Sequence, residues 1–477
     1  MSKPVDLTAY RTYRGLPALA GLATMAEAAR PGLSIETCTT RLKRFHYVLL
    51  RLHEIFTARI TAEPIYELKS GFALHGYLSA EHVAALRTRV GEMREPPLGL
   101  EEIPHPGLQV LFDEILAAPT TAELLVAVYE KTLPALDAAL AAYMKATHPL
   151  GDAPSIRLCR FARLELADML QFGAQSVASL VDAPTRQTMS TWLALLDQCL
   201  TAAGGVDGTQ PSEAAVPAPH YSAKPFEYDP RPRRDERFKD LWNQGVNAEA
   251  FLYDEHFPAR AKTLMMYFKR LREIDVPEMM ASIIVQTKGK PWKYYRDLTR
   301  QLWDEARHAM LGEIGFAAQG VDWTRARITF NWSMRLNTEC KPLERHAVLF
   351  YIEQGLMTRT GKRYEWEVAV DSGDPLATVF QDFDWADEVL HSQIGREWYV
   401  KEMGDLNKAL AYGDECWSRI LSNWSAVRDQ GLTQHENWWP AIYEQACRTW
   451  DIAPDPQVLT YATTYEGQRA DLKTVSG

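Results

Sequence analysis

The sequence predicts an all-α protein made of two helical bundles joined by a linker. Apolar residues recur at helical spacing before and after the middle of the chain, and the alternation typical of strands is scarce. Residues 201–236 are rich in Gly, Pro and Ala without apolar periodicity, which indicates a linker. At 477 residues the chain has room for two or three domains. We expect an N-terminal bundle over 1–200, a second bundle over 237–410, and further helices with an irregular tail over 411–477.

In the N-terminal half, helices are predicted at about 34–61, 64–94, 107–147 and 155–201. Proline-rich breaks separate the later ones, and four such helices make an up-down bundle the default. The outline of this half is similar to that of the C-terminal half, so it is a possible degenerate repeat. When Glu81 is aligned with Glu305, however, Ala84 takes the place of His308, so the metal motif is not repeated there. We interpret it as a structural or oligomerisation module, with a substrate lid as the alternative.

In the C-terminal half, helices are predicted at about 257–288, 292–318, 343–357 and 374–403. A Gly-Lys-Pro break separates the first two. A longer connection over 320–342 separates the second from the third, and is predicted without a helix of its own.

The composition excludes several classes of protein. Against 52 Lys and Arg stand 62 Asp and Glu, which gives a net charge of −10 and a pI near 5.7. This acidic balance disfavours a nucleic-acid partner, including a tRNA substrate. No apolar run approaches the roughly 18–20 residues of a membrane span, and the N-terminus has no convincing signal-peptide cleavage site. Six scattered cysteines without a Cys-x-x-Cys pair are typical of reduced thiols. We expect a cytoplasmic protein without a membrane partner.

Two Glu-x-x-His motifs carry the chemistry, Glu305 with His308 and Glu388 with His391. Residues three apart on a helix lie on one face, about 4.5 Å apart along the axis, so both side chains can reach one metal ion. Chance predicts roughly one such motif among twelve histidines. A third motif, at 102–105, contains proline and is followed by another, so it is not helical. The remaining pair both read Asp-Glu-x-x-His, which indicates a metal site.

A dinuclear site in a four-helix bundle needs two more carboxylates, one from each of the other two helices. Glu278 precedes Glu305 across the Gly-Lys-Pro turn, and we favour it over Glu273. Glu353 precedes the second motif, and we favour it over Glu344. The predicted metal ligands are then Glu278, Glu305, His308, Glu353, Glu388 and His391.

These motifs resemble those of the ferritin-like di-metal (di-iron) carboxylate superfamily, and most closely those of bacterial ferritin-like proteins catalogued as a domain of unknown function. The matching pieces are Glu278, KGKP at 288–291, DEARH at 304–308, EQGL at 353–356 and DEVLHSQIG at 387–395. The fourth piece departs by one position from the family's Glu-x-x-Gly-Leu. The resemblance implies a ferritin-like four-helix bundle in the C-terminal half, and does not extend to the N-terminal half.

The aspartates that precede each motif are candidates for support of the metal ligands. A metal-bound imidazole usually donates its second N–H to a carboxylate. By similarity to the ferritin-like class, we expect Asp304 and Asp387 each to serve the histidine of the opposite motif. The alternative is a plain pair of helix-surface aspartates.

Two metal ions are the expected cofactors. Carboxylate and imidazole donors without thiolate favour iron, with manganese or a mixed Mn/Fe pair as alternatives. The implied function is a dinuclear non-haem iron oxidoreductase, an oxygenase or oxidase that uses O₂ on a small organic substrate, with electrons from a separate reductase and a possible homodimer. The alternatives are a ferroxidase, a metal store or a manganese peroxide scavenger, and a scaffold in which the metals only staple helices.

Five residues are candidates for the surroundings of the metals. Gly312 and Gly395 each follow a ligand histidine by four positions, so they either permit close helix contact or leave a cavity. A glycine at 312 also excludes the radical tyrosine that ribonucleotide reductase small subunits carry there. Trp303, Tyr351 and Trp385 are candidate pocket residues, with simple core packing as the alternative.

Overall fold

The computed structural model describes residues 6–93, 99–421 and 424–465. Across those ranges the regular structure is helical and contains no β-strand, so the predicted all-α class is confirmed. Nor is any helix in the described ranges both long and apolar enough to cross a lipid bilayer. Residues 466–477, the end of the predicted tail, lie outside the described residues.

The first nine α-helices, with a π-helical segment at Val126–Thr132 between α5 and α6, span the following residues: α1 Met25–Ala28, α2 Ile35–Ala62, α3 Tyr66–Met93, α4 Pro106–Leu116, α5 Thr121–Leu125, α6 Leu133–Ala146, α7 Ala153–Leu180, α8 Ala183–Thr188 and α9 Ser190–Ala202. The chain then runs without α-helix until α10.

The remaining helices, with a second π-helical segment at Arg396–Val400, are α10 Ala248–Leu252, α11 Ala259–Arg272, α12 Asp275–Gln286, α13 Trp292–Ala318, α14 Asn331–Glu339, α15 Pro342–Leu356, α16 Lys362–Asp371, α17 Pro375–Gly395, α18 Lys401–Met403, α19 Leu406–Leu421, α20 Trp424–Asp429, α21 Trp439–Trp450 and α22 Pro456–Leu459.

The chain forms two compact units that do not follow the linear order of the sequence. Unit 1 contains Met1–Phe56 and His75–Glu227, and unit 2 contains Thr57–Leu74 and Tyr228–Gly477. The segment predicted as a linker is therefore divided at residue 227. The end of α2 and the start of α3 belong to unit 2.

In unit 1, His75 lies in an apolar core rather than in a metal cluster, and His82 pairs with Glu165. Nδ1 of His75 lies 2.6 Å from the Tyr129 hydroxyl, and the His75 ring packs edge-on against Phe56 and Phe172. Burial lowers the pKa of His75 to about 3, so the ring is neutral. Among the described residues of this unit, no group of acidic and histidine side chains has the spacing of a metal site.

The first part of the predicted linker is tied to unit 1 by hydrogen bonds. The buried Glu114 carboxylate accepts the backbone N–H groups of residues 220–222 at 2.7–3.0 Å. Arg44 donates to the carbonyl oxygens of Ala203, Gly205 and Val206 at 2.7–2.8 Å. A segment without helical periodicity is thus ordered by its backbone groups.

In unit 2, four helical rods pack in a ring. The α11–α12 rod contacts α13, α13 contacts α17, α17 contacts α15, and α15 contacts α12. The helix predicted at 257–288 is interrupted at Glu273 and Ile274, where α11 ends and α12 begins. The candidate site lies among these four rods, and Glu273 at the interruption belongs to it.

Close approach of α13 to α11 depends on glycine. A Cβ at Gly312 would lie 2.3 Å from the Leu271 nitrogen and 2.5 Å from the Tyr267 carbonyl oxygen. Because both neighbours are backbone, only glycine fits here. At Gly395, a Cβ would lie 2.3 Å from the Phe350 ring. Both positions therefore serve close packing, and neither leaves the cavity that was the alternative.

Candidate metal centre

The two Glu-x-x-His motifs face each other in the interior of unit 2. The ring centroids of His308 on α13 and His391 on α17 lie 5.9 Å apart. Glu305 lies between them: its Oε2 is 3.5 Å from Nδ1 of His308, and its Oε1 is 3.1 Å from Nδ1 of His391. All three side chains are buried. One carboxylate therefore presents an oxygen to each imidazole.

Further carboxylates complete a group of donors around each histidine. We call the first the His308 group: Glu273 Oε2 lies 3.3 Å and Asp384 Oδ1 3.6 Å from Nδ1 of His308, with Glu305 shared. The second is the His391 group, in which Glu353, Glu388, Glu305 and His391 each offer an atom within 4.8 Å of the others. Glu388 also lies within that distance of His308 and Asp384.

Six buried atoms in these groups that could bind a metal ion have no hydrogen-bond partner of acceptable geometry. They are Glu273 Oε2, Glu305 Oε1, His308 Nδ1, Glu353 Oε2, Glu388 Oε2 and His391 Nδ1. Buried polar atoms are nearly always satisfied, because an unmet one costs about 1–3 kcal/mol. Six unmet atoms that converge on one place fit a pair of cations, with hard oxygen and imidazole nitrogen as donors.

One predicted ligand, Glu278, lies outside the two groups of potential metal donors. This carboxylate is fully buried but lies elsewhere, in ion pairs with Lys69 and with Arg234 at 2.9 Å. It also accepts a hydrogen bond from the Ser333 hydroxyl at 2.9 Å. Glu278 is absent from every group of potential metal donors among the described residues. Glu273, the fallback candidate, lies in the His308 group instead.

The physical reason is the register of two antiparallel helices. Glu273 lies 13 residues before the end of α12 at Gln286, and Glu305 lies 13 residues after the start of α13 at Trp292. Equal distances from a shared turn bring two residues to the same height, since each residue rises about 1.5 Å. The other fallback, Glu344, caps α15 and pairs with Arg419.

The aspartates of the two motifs cross over between the helices. Nε2 of His308 lies 3.1 Å from Asp387 Oδ2, and Nε2 of His391 lies 3.4 Å from Asp304 Oδ2. Arg307 contacts both aspartates. Each aspartate can accept an Nε2–H bond, and Nδ1 of each ring then faces the carboxylates of its group. This is the crossed arrangement expected from the resemblance.

The buried charges at the centre shift the pKa values of its histidines and carboxylates. Burial opposes the shift, but Asp387, Glu273 and Glu305 raise the pKa of His308 to about 10. Burial and the nearby charge of Glu388 raise the pKa of Glu353 well above its ordinary value. Burial alone would raise the pKa of Glu305, but the two histidines lower it to about 2. The raised pKa values of His308 and Glu353 favour protons on these two groups, which reduces the negative charge of the cluster.

Trp303, Tyr351 and Trp385, the predicted pocket residues, do not line the small cavity found among the described residues of unit 2. Trp303 and Trp385 are half-buried, and the Tyr351 hydroxyl donates to Asp414 Oδ1 at 3.2 Å. A small cavity of about 10 Å³, roughly the space of one water, is lined by other residues: Asn243, Gln244, Val246, Phe268, Arg272, Thr329, Trp332, Trp438 and Tyr465.

Three charged residues at the centre were not predicted from sequence: Asp384, Arg270 and Lys362. Asp384 precedes Glu388 by one helical turn on the same face of α17, and that spacing was a usable signal. The Arg270 guanidinium contacts Asp384 and lies 2.9 Å from Glu273. Lys362 begins α16 and reaches Asp384 and Glu388. No local spacing connects residue 362 to either motif.

Comparison of the chain with known proteins finds no matching family model, curated protein or solved structure.

Proposed function

We propose that unit 2 holds two metal ions, most favourably iron, in a ferritin-like four-helix arrangement. The observation that carries the proposal is the set of six unmet donor atoms around His308 and His391. Glu273, Glu305 and His308 would hold one ion, and Glu305, Glu353, Glu388 and His391 the other. Manganese or a mixed Mn/Fe pair suits the same donors.

The function that this centre supports best is a dinuclear non-haem iron oxidoreductase that uses O₂ on a small organic substrate. Two such ions supply electrons to dioxygen and leave positions not filled by protein ligands. The chain's own contribution is to fix the donors: Asp304 and Asp387 orient the imidazoles, and Arg307 holds both aspartates. Burial of the donors keeps bulk water away from them.

The alternative is a ferroxidase, a metal store or a manganese peroxide scavenger with the same ligands. Its support is the close burial of the centre: His308, His391, Glu305 and Glu388 are at most 2 % exposed. Reactants no larger than a cation, O₂ or peroxide reach such a site most readily.

The test is single turnover of iron-loaded protein. Metal-free protein is loaded anaerobically with two equivalents of Fe(II) and mixed with O₂, and oxidation of the iron is followed optically. We expect oxidation in the wild type and in His346→Gln, a buried α15 histidine outside the centre, and none in His308→Gln or His391→Gln. Equal behaviour of all four proteins would contradict the proposal. Released peroxide or mineralised iron would favour the alternative.

A further inference from the structure

Two buried cations lie beside the His308 group. Lys362 is fully buried, and its Nζ is 2.8 Å from Glu388 Oε1 and 2.8 Å from Asp384 Oδ2. Arg270 is 1 % exposed, contacts Asp384, and lies 2.9 Å from Glu273 Oε1. Glu273 and Asp384 are the carboxylates that belong to the His308 group without being shared. Each is therefore already paired with a buried positive charge, although Arg270 also lies 3.8 Å from Glu365.

The His391 group is different. Its unshared carboxylate, Glu353, accepts a hydrogen bond from the neutral amide of Gln301 at 3.2 Å. Among the described residues, no Lys or Arg nitrogen forms an ion pair with it. In Glu388, one oxygen is held by Lys362 while Oε2 lies 3.6 Å from Nδ1 of His391. Because Lys362 holds Oε1 of Glu388, the other oxygen, Oε2, faces His391.

We propose that the two metal positions bind cations with unequal affinity, the His391 group filling first, and that Lys362 is a positioning residue that sets the difference. The inference rests on the proposed dinuclear centre. A divalent ion that enters the His308 group meets carboxylates already paired with Arg270 and Lys362. Repulsion between buried cations is strong, because the interior screens charge less than water does. An ion in the His391 group meets one carboxylate, Glu353, that forms no ion pair with a Lys or Arg among the described residues.

The experiment is an anaerobic titration of the metal-free protein with Co(II), followed by visible absorption and checked by equilibrium dialysis. We expect two binding steps whose dissociation constants differ by at least about tenfold. His308→Gln should retain the tight step, and His391→Gln should lose it. Lys362→Gln keeps an amide donor for Glu388 but removes the charge, so the weak step should tighten about tenfold.

The matched control is Lys262→Gln, which removes a buried lysine that donates to the Tyr364 hydroxyl at 3.0 Å and contacts none of the donors. It should leave both steps unchanged. Two equal steps in the wild type, an unaltered weak step in Lys362→Gln, or loss of the tight step in His308→Gln would overturn the inference. If Lys362→Gln does not fold, the two histidine variants decide the order of filling. Absence of any Co(II) binding would instead overturn the proposed function itself.

Discussion

Replacing Glu278 or Glu273 with Gln, one at a time, distinguishes a carboxylate that stabilises the fold from one that binds metal. Glu278 is fully buried against Lys69 and Arg234, so Glu278→Gln leaves two buried cations without their main counter-charge. Removal of one partner of a buried ion pair costs about 3–5 kcal/mol, and two pairs are broken here, so we expect a loss of at least about 3 kcal/mol. Metal content should be unchanged in the protein that folds.

The opposite pattern is expected for Glu273→Gln. Its side chain is 18 % exposed and pairs with Arg270, which retains Asp384, so the loss of stability should be only about 1 kcal/mol. Loss of a metal donor should weaken metal retention by more than the about 10–100-fold typical of supporting residues. The assays are urea denaturation of metal-free protein and elemental analysis of protein purified without chelator. A stable but metal-poor Glu278→Gln, together with a metal-replete Glu273→Gln, would refute the reasoning.

Three further predictions follow from the centre and its packing. Asp304→Asn and Asp387→Asn should each weaken metal binding about 10–100-fold in a competition titration against a chromophoric chelator, and unchanged affinity would show that the crossed contacts are incidental. Gly312→Ala should lower the free energy of unfolding by about 2 kcal/mol or more, since the new methyl group meets backbone; an unchanged urea midpoint would contradict the close contact. Against the effect of burial, nearby carboxylates raise the pKa of His308 to about 10 and that of His391 well above its ordinary value. Both imidazoles are therefore protonated at neutral pH without metal. Their protonation adds to the free energy of unfolding below pH 6.5, and this contribution is lost as pH rises through about 10. Metal loading at pH 7 should then release protons, and affinity should rise with pH. Calorimetry in two buffers of different ionisation enthalpy measures the release, and a value of zero would contradict the raised pKa values.

Most of the predicted ligands that lie together in the cluster are related by local spacing. The exception is Glu353, which was chosen as the carboxylate of the helix before the second motif. Glu305 and His308, like Glu388 and His391, share a helical face by virtue of a three-residue interval, and both pairs lie in the cluster. The crossed contacts of Asp304 and Asp387 came from the resemblance rather than from spacing. Local periodicity is sufficient for such pairs because a helix fixes the geometry between near neighbours.

The features that the sequence did not predict depend on helix breaks and on tertiary contacts. The choice of Glu278 placed the Gly-Lys-Pro turn near the midpoint between Glu278 and Glu305. The helices end at Gln286 and begin again at Trp292, which aligns Glu273 with Glu305 instead. The connection predicted without a helix contains Asn331–Glu339, whose Ser333 hydrogen-bonds Glu278. Lys362 begins a helix that was not predicted, and its role follows only from packing against α17. Such contacts join residues far apart in sequence, and periodicity carries no information about them.

The most direct measurement of the central claim is anomalous diffraction at the iron edge, from crystals grown without chelator after anaerobic loading with Fe(II). The account predicts two peaks about 3.5–4 Å apart, one at Nδ1 of His308 and one at Nδ1 of His391, with Glu305 between them. Peaks at Glu278, or none in the interior of unit 2, would contradict it.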